Sequence, residues 1–359
     1  MNITVTKPFI PPFAEFQSYL SGIWAREWLT NNGPLVNELE IELKKNLGVE
    51  KLLFLSNGTV ALQIAIRALD LKGEVITTPF SYVATTSSIV WEHCLPVMVD
   101  ICPDTLNIDP AKIEAAITDK TSAILATHVF GNPCDVEAIE AIAKKHNLHV
   151  IYDAAHAFGT TYKGRSLLAY GDIATCSFHA TKLFHTIEGG AVVANDAKLI
   201  KRLAMMRNFG HSSATEFGDI GINGKNSEVH AAMGLCNLKY VDSILAQRKL
   251  LSQRYLLNLK ECGFSYQKVA DDTVYNHAYF PVILQNEAAV LAVLEYLNLH
   301  SIYPRRYFYP SLSELHYVVG QSSPIAEDIS RRIICLPLYH SLSVEEVDMV
   351  CVLLKKALE

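Results

Sequence analysis

The sequence predicts an α/β fold: a doubly wound, mostly parallel central sheet with helices on both faces, followed by a smaller C-terminal α+β domain. Two observations carry this expectation. From about residue 50 to 195, short apolar segments alternate with stretches of helical periodicity, the pattern of a sheet whose strands are joined by helices. Several of those segments are apolar at successive positions, as a sheet covered on both sides requires. In chain order the strands are expected at Leu52–Leu55, Glu74–Thr77, Pro96–Asp100, Ser122–Thr127, His149–Tyr152, Ile173–Phe178 and Gly190–Ala194. Helices are expected between them at Thr59–Leu69, Val83–Trp91 and Asp135–His146.

A second region begins near residue 228. It opens with a long helical stretch, Glu228–Cys262, and carries strand candidates at Ala278–Leu284 and Ile333–Leu336. A last helix starts at Ser343, with Glu345 and Glu346 in its first turn, where carboxylates complement the helix dipole. The expected division is a large domain over residues 1–230 and a small one over 231–359.

Composition narrows the function. The chain carries 31 Lys and Arg against 37 Asp and Glu, a formal net charge of −6, with no basic run; this argues against a nucleic-acid partner. No apolar stretch approaches the roughly 18 residues of a membrane span. Residues 1–13 hold no continuous apolar segment and do not read as a signal peptide. The eight cysteines stand singly, without a C-x-x-C pair. That offers no disulfide framework, metal cluster or zinc site, and suggests free thiols in a reducing cytoplasm.

Ligands of open α/β sheets sit outside the carboxyl ends of the strands, and three such ends carry suggestive residues. Ser56-Asn57-Gly58-Thr59 is a small polar turn into a helix N-terminus, suited to a phosphate, although taken alone a plain helix cap is the simpler explanation. At Tyr152-Asp153-Ala154-Ala155-His156 an apolar strand ends in a carboxylate, which serves either as a cap or as the partner of a cation. Lys182 is the sole Asp, Glu, Lys or Arg between Asp172 and Glu188. An apolar setting lowers a lysine's pKa, and the neutral amine is the form that attacks a carbonyl. Together a phosphate turn, a carboxylate and a lone lysine are the parts of a pyridoxal 5'-phosphate (PLP) site.

The ordered blocks Trp28-Leu-Thr-Asn-Asn-Gly-Pro34, Asn57-Gly-Thr59, Thr78-Pro-Phe-Ser-Tyr-Val-Ala-Thr85, Asp104-Thr-Leu-Asn-Ile-Asp109, Asp153-Ala-Ala-His156, Ser177-Phe-His-Ala-Thr-Lys182, Glu188-Gly-Gly190, Arg207-Asn-Phe-Gly210, Gly221-Ile-Asn223 and Leu336-Pro-Leu338 run through nearly the whole chain. In these the sequence resembles the DegT/DnrJ/StrS sugar aminotransferases, which are PLP enzymes of fold type I. The resemblance implies that Lys182 bonds the PLP aldehyde and that Asp153 pairs with the pyridinium nitrogen. It further implies Gly58, Thr59 and Ser177 around the phosphate, Tyr82 against the ring, and His156 near the ring's phenolic oxygen, where many members have glutamine. Asn223 matches an asparagine lent to the neighbouring subunit's phosphate, which implies a homodimer with shared active sites. Lys225 stands where arginine is common and is not assigned to the site. Each position also has a structural explanation: core filling for Tyr82, a turn cap for Ser177, a core histidine for His156 and a turn residue for Asn223.

What the resemblance implies is transfer of an amino group, usually from glutamate, to a nucleotide-linked keto sugar for O-antigen or other surface glycans. The stretches Trp28 to Pro34, His128 to Asp135 and Ser177 to Gly190 are most similar to VioA-like members, which aminate dTDP-4-keto-6-deoxyglucose at C4. Amination at C3 is the alternative. Arg305, Arg306 and Tyr309, in Tyr303-Pro-Arg-Arg-Tyr-Phe-Tyr-Pro310, match the segment that faces the sugar nucleotide, and a solvated turn explains them as well. A related sugar dehydratase would carry histidine at position 182. A non-catalytic PLP-binding or sugar-nucleotide-binding regulator would not need Lys182 and Asp153 together.

Overall fold

The computed structural model describes residues 2–318 and 320–359. Its centre is a seven-stranded sheet built from β1 (Leu52–Leu55), β2 (Glu74–Thr77), β3 (Leu95–Met98), β4 (Thr121–Thr127), β5 (His149–Asp153), β6 (Ile173–Ser177) and β7 (Gly190–Val193), in the spatial order β1-β7-β6-β5-β4-β2-β3. Strand β7 runs antiparallel to both neighbours, and the other pairs are parallel. All seven expected strands are present, two with the expected ends and the others with ends that differ by at most two residues.

Side chains of a strand alternate between the two faces of its sheet, and both faces here are apolar. On β4, Ile124 and Ala126 join a cluster with Phe54, Tyr152 and Cys176, beneath helices Phe13–Arg26, Pro34–Leu47 and Glu228–Leu238. Ala123 and Leu125 point the other way, into a cluster with Val75, Ile151 and Val192, beneath helices Gly58–Ala68 and Ala197–Met206. Burial on both faces explains why these strands read as continuous apolar runs.

The C-terminal region builds its own apolar cluster. The antiparallel pair Phe280–Ile283 and Ile333–Leu336 packs with helices Val241–Asn258, Glu287–Leu299 and Val344–Lys356. The chain's beginning joins this cluster: Ile3 is buried in it, and Ile3–Thr4 pairs in parallel with Ile302–Tyr303. Ser343 caps the last helix in a reciprocal capping box with Glu346.

The expected single helix over Glu228–Cys262 is instead two, Glu228–Leu238 and Val241–Asn258. The backbone tightens at the junction, where Lys239 N–H donates to Cys236 O and Tyr240 N–H to Asn237 O. Two tertiary anchors hold it there: the Asn237 side chain donates to His185 O at 2.8 Å, and Tyr240 Oη donates to Glu15. No helix among the described residues is long and apolar enough to cross a membrane.

Candidate active site

The carboxyl ends of β4, β5 and β6 open into a cavity of about 530 Å³. Register alone gathers its floor, because Asp153 at the end of β5 lies opposite Thr127 on β4 and Thr175 on β6. Ser177 at the end of β6, Lys182 in the loop that follows it, Gly58 and Thr59 after β1, and Tyr82 ahead of helix Val83–Trp91 also line the cavity. Eight of the eleven residues anticipated from sequence therefore meet here: Gly58, Thr59, Tyr82, Asp153, His156, Ser177, Lys182 and Arg305.

The turn after β1 is shaped for a small anion. Asn57 caps helix Gly58–Ala68 by accepting the Val60 N–H at 2.8 Å. Gly58 and Thr59 occupy the first two helical positions, so their amides have no acceptor within the helix, and the helix N-terminus favours negative charge. The close packing of this turn explains two glycine motifs. A Cβ on Gly190 would lie 2.5 Å from the Asn57 carbonyl carbon and oxygen, and one on Gly58 would lie 3.0 Å from Ser177 Cβ. Gly190→Ala is therefore expected to push the turn out of place. At the roughly 1–3 kcal/mol typical of overpacking, PLP affinity falls about ten- to a hundredfold. Fluorescence titration of the apo form with PLP checks this, and an unchanged dissociation constant would refute it.

Asp153 is buried, and burial pushes its carboxyl upward. Opposing that shift, Thr85 Oγ1 donates to Oδ2 at 2.7 Å, Ala155 N–H donates to Oδ1 at 3.1 Å, and the Lys182 charge acts in the same sense. Lys182 is half-buried, and loss of hydration lowers its pKa, with Tyr307 and Asp153 acting the other way. The cavity thus moves the amine toward its nucleophilic form. A cation set against Asp153 would offset the cost of keeping that carboxylate charged.

His156 is buried, and burial holds it well below the usual histidine range, so the imidazole is neutral. Its ring lies nearly parallel to those of Phe308 and Phe130, with centroids 5.7 and 6.1 Å away. Its Nδ1 is a buried polar atom without a hydrogen-bond partner among the described residues. Arg305 is exposed at the cavity wall, its guanidinium 4.7 Å from the Tyr307 ring centroid, and it forms no ion pair among the described residues.

Three anticipated residues lie outside the cavity. Arg306 turns away: it donates to Glu287 at 2.6 Å and to Arg331 O at 3.1 Å, and its guanidinium sits 3.4 Å from the centroid of Tyr309. Arg306 and Tyr309 are thus committed to each other and to the neighbouring helices. Asn223 is exposed on the loop that pairs with Asn208, beside a more open cavity of about 700 Å³ lined by Asn31, Asn32, Asn208 and Lys225. Conversely, Tyr307 and Phe308 line the main cavity although the sequence singled out their neighbours, as do Ser81, Thr127 and Thr175. The motif Thr78 to Thr85 held the signal for Ser81. Nothing in the sequence distinguished Tyr307 from the other tyrosines of its segment.

Comparison with known proteins gives this cavity its context. Residues 13–355 match the model of the DegT/DnrJ/EryC1/StrS aminotransferase family. The chain belongs to that family. It is 43% identical over 355 residues to a dTDP-4-amino-4,6-dideoxy-D-glucose transaminase of Shigella dysenteriae, covering 97% of each chain. It is 41% identical to a protein of the same description from Escherichia coli, covering 98% of each. Among solved structures, DesI with its TDP-sugar product superposes with a TM-score of 0.93 at 33% identity, over 99% of this chain and 92% of that one. The PLP form of the sugar aminotransferase Spr1654 from Streptococcus pneumoniae gives 0.92 at 26% identity, over 99% and 98%.

The enzyme is a PLP-dependent sugar aminotransferase with the fold-type I architecture. The residues present fit the cofactor. Free helix amides suit its phosphate, a buried carboxylate suits its ring nitrogen, an amine suits its aldehyde, and the unpartnered Nδ1 of His156 leaves one polar atom of the lining to be satisfied.

Proposed function

We propose that the enzyme transfers an amino group from L-glutamate to dTDP-4-keto-6-deoxy-D-glucose, giving dTDP-4-amino-4,6-dideoxy-D-glucose for O-antigen or other surface glycans. The observation that carries this reading is the meeting of Lys182, Asp153 and the Gly58–Thr59 helix terminus on one cavity, in a chain 43% identical to a transaminase of that description. Position 182 is lysine, so the histidine-bearing dehydratase reading has no support. The intact Lys182 and Asp153 likewise speak for catalysis over regulation.

Bound in the cavity, PLP supplies an aldehyde for the amino group and a ring that accepts electron density. The protein's own groups do the rest. Gly58 and Thr59 amides, with Ser177, would hold the phosphate end, Asp153 would hold positive charge at the ring nitrogen, and Tyr82 would cover the ring. His156, kept neutral by burial, contributes a polar contact without adding a charge. Lys182 Nζ, with its lowered pKa, would take the proton from the amino donor's α-carbon in the first half of the transfer and deliver one to the acceptor's former carbonyl carbon in the second. Arg305 offers an unpaired guanidinium to the carboxylate of the donor or the diphosphate of the acceptor.

The subunit is proposed to work as a cytoplasmic homodimer, Asn223 reaching the phosphate site of a second copy. Exposed Phe209, Phe217, Ile220 and Ile222 flank Asn223 and supply an apolar face for that contact.

Incubation with PLP, glutamate and a panel of nucleotide-linked 3-keto and 4-keto sugars, followed by product identification, tests the reading. The 4-amino product from the dTDP-4-keto sugar is expected. A 3-amino product would move the assignment to C3, and no transfer to any panel member despite bound PLP would contradict it. Asp153→Ala is expected to keep the fold and lower turnover by about 10²–10⁴-fold, the usual weight of a positioned acid–base partner. Steady-state kinetics beside the wild type check it.

A further inference from the structure

Asp153 is backed by a line of three buried hydroxyls. Thr85 Oγ1 donates to Asp153 Oδ2 at 2.7 Å; Ser81 Oγ lies 2.7 Å from Thr85 Oγ1; Thr127 Oγ1 donates to Ser81 Oγ at 3.0 Å. Thr85 is fully buried, and Ser81 and Thr127 nearly so. They come from separate elements: Thr127 ends β4, Ser81 lies in the loop after β2, and Thr85 sits in the first turn of helix Val83–Trp91.

A hydroxyl has one proton to give. Thr85 gives its proton to the carboxylate, so the bond between Ser81 and Thr85 is donated by Ser81, and Thr127 donates to Ser81 in turn. All three O–H groups then point along one direction, toward Asp153. Such aligned chains polarise one another and strengthen the terminal bond in a low-dielectric interior. A hydrogen bond to the charged form of an acid favours that form, and here it acts directly against the burial that pushes Asp153 toward neutrality. The second oxygen, Oδ1, accepts the Ala155 N–H, which fixes the carboxylate's rotation as well as its charge.

We propose that Thr85 is a positioning residue for the known reaction. Through the hydroxyl chain Thr127–Ser81–Thr85 it keeps Asp153 ionised and rotated toward the ring nitrogen of the cofactor. The proposal rests on the PLP reading of the cavity. It places part of the reaction's electrostatics on Thr85, which lies behind Asp153 rather than on the cavity wall and acts through that carboxylate.

The test compares wild type, Thr85→Val, Thr85→Ser and Ser81→Ala. PLP affinity is measured by titrating apo protein, the visible band of the bound cofactor is recorded, and kcat and KM are measured with glutamate. A hydrogen bond to a charged group is worth about 1.5–3 kcal/mol, so Thr85→Val is expected to bind PLP about ten- to a hundredfold more weakly. It should show an altered visible band and a fall in kcat with little change in the KM for glutamate. Thr85→Ser restores all three, and Ser81→Ala shows the same changes with smaller amplitude. Circular dichroism of the apo forms identifies a variant that fails to fold; the folded Ser81→Ala and Thr85→Ser proteins then decide. The proposal is overturned if Thr85→Val, or Ser81→Ala in its place, keeps wild-type PLP affinity, spectrum and kcat. Failure of the wild type itself to bind PLP would instead overturn the reading of the cavity.

Discussion

The Lys182→Ala enzyme is expected to lose transamination while keeping its fold. Loss of the proton carrier alone costs about 10²–10⁴-fold in turnover, and loss of the amine that bonds the PLP aldehyde adds to it. Lys182→Arg should fare no better: a guanidinium stays protonated and cannot supply the free amine that burial favours at this position. Because the phosphate turn and Asp153 are untouched, the alanine variant should still bind PLP noncovalently. Added methylamine should recover part of the activity by supplying a small base where the side chain is missing. Turnover of Lys182→Ala near the wild-type rate would remove this residue from the mechanism.

The second large effect concerns stability and lies away from the cavity. Glu228 is fully buried at the start of its helix, yet its carboxylate serves another one: Oε2 accepts the Leu35 N–H at 3.0 Å and Oε1 the Val36 N–H at 2.9 Å. These are the first amides of helix Pro34–Leu47, whose own cap residue, Gly33, offers no side chain. Arg26 adds a cation 3.7 Å from Oε2. Glu228→Ala strands two buried donors and leaves Arg26 without its partner, at a cost of about 3–5 kcal/mol. That is a large share of the roughly 5–15 kcal/mol that stabilises a folded domain. Glu228→Gln keeps an acceptor for one amide and should fall between. The same contact explains Gly33, since a Cβ there would lie 2.5 Å from Glu228 Cδ; Gly33→Ala is expected to resemble Glu228→Ala. Urea unfolding of the four proteins checks the order, and an unshifted midpoint for Glu228→Ala would refute it.

These two residues show what could be read from the chain. Lys182 was legible because a lysine alone in an apolar segment breaks local composition, and the break has a chemical reason. Asp153 and the Asn57–Thr59 turn were legible as abrupt ends of apolar strands. The strands themselves were legible because burial on both faces of the sheet writes a continuous apolar run. Glu228 was not: a glutamate in the first turn of a helix looks solvated, and its partners lie 192 and 193 residues away. The break at Lys239–Tyr240 was hidden for a similar reason, since no glycine or proline marks it and the anchors are His185 and Glu15. In the segment from Tyr303 to Pro310 the residue types pointed to the right place but not to the right side chains. There the fold sends Arg305, Tyr307 and Phe308 to the cavity and turns Arg306 toward Glu287, with the Tyr309 ring against its guanidinium. Which residues of an irregular segment face a cavity follows from tertiary packing, and no periodicity reports it.

One amine, Lys182 Nζ, is proposed to bond the cofactor in a cavity built at the carboxyl ends of β4, β5 and β6. The most direct measurement is borohydride reduction of the wild-type enzyme with PLP, followed by peptide mapping by mass spectrometry. A single pyridoxyl label is expected, on the peptide that contains Lys182. A label on another lysine, or none from a protein that is yellow with bound PLP, would contradict it.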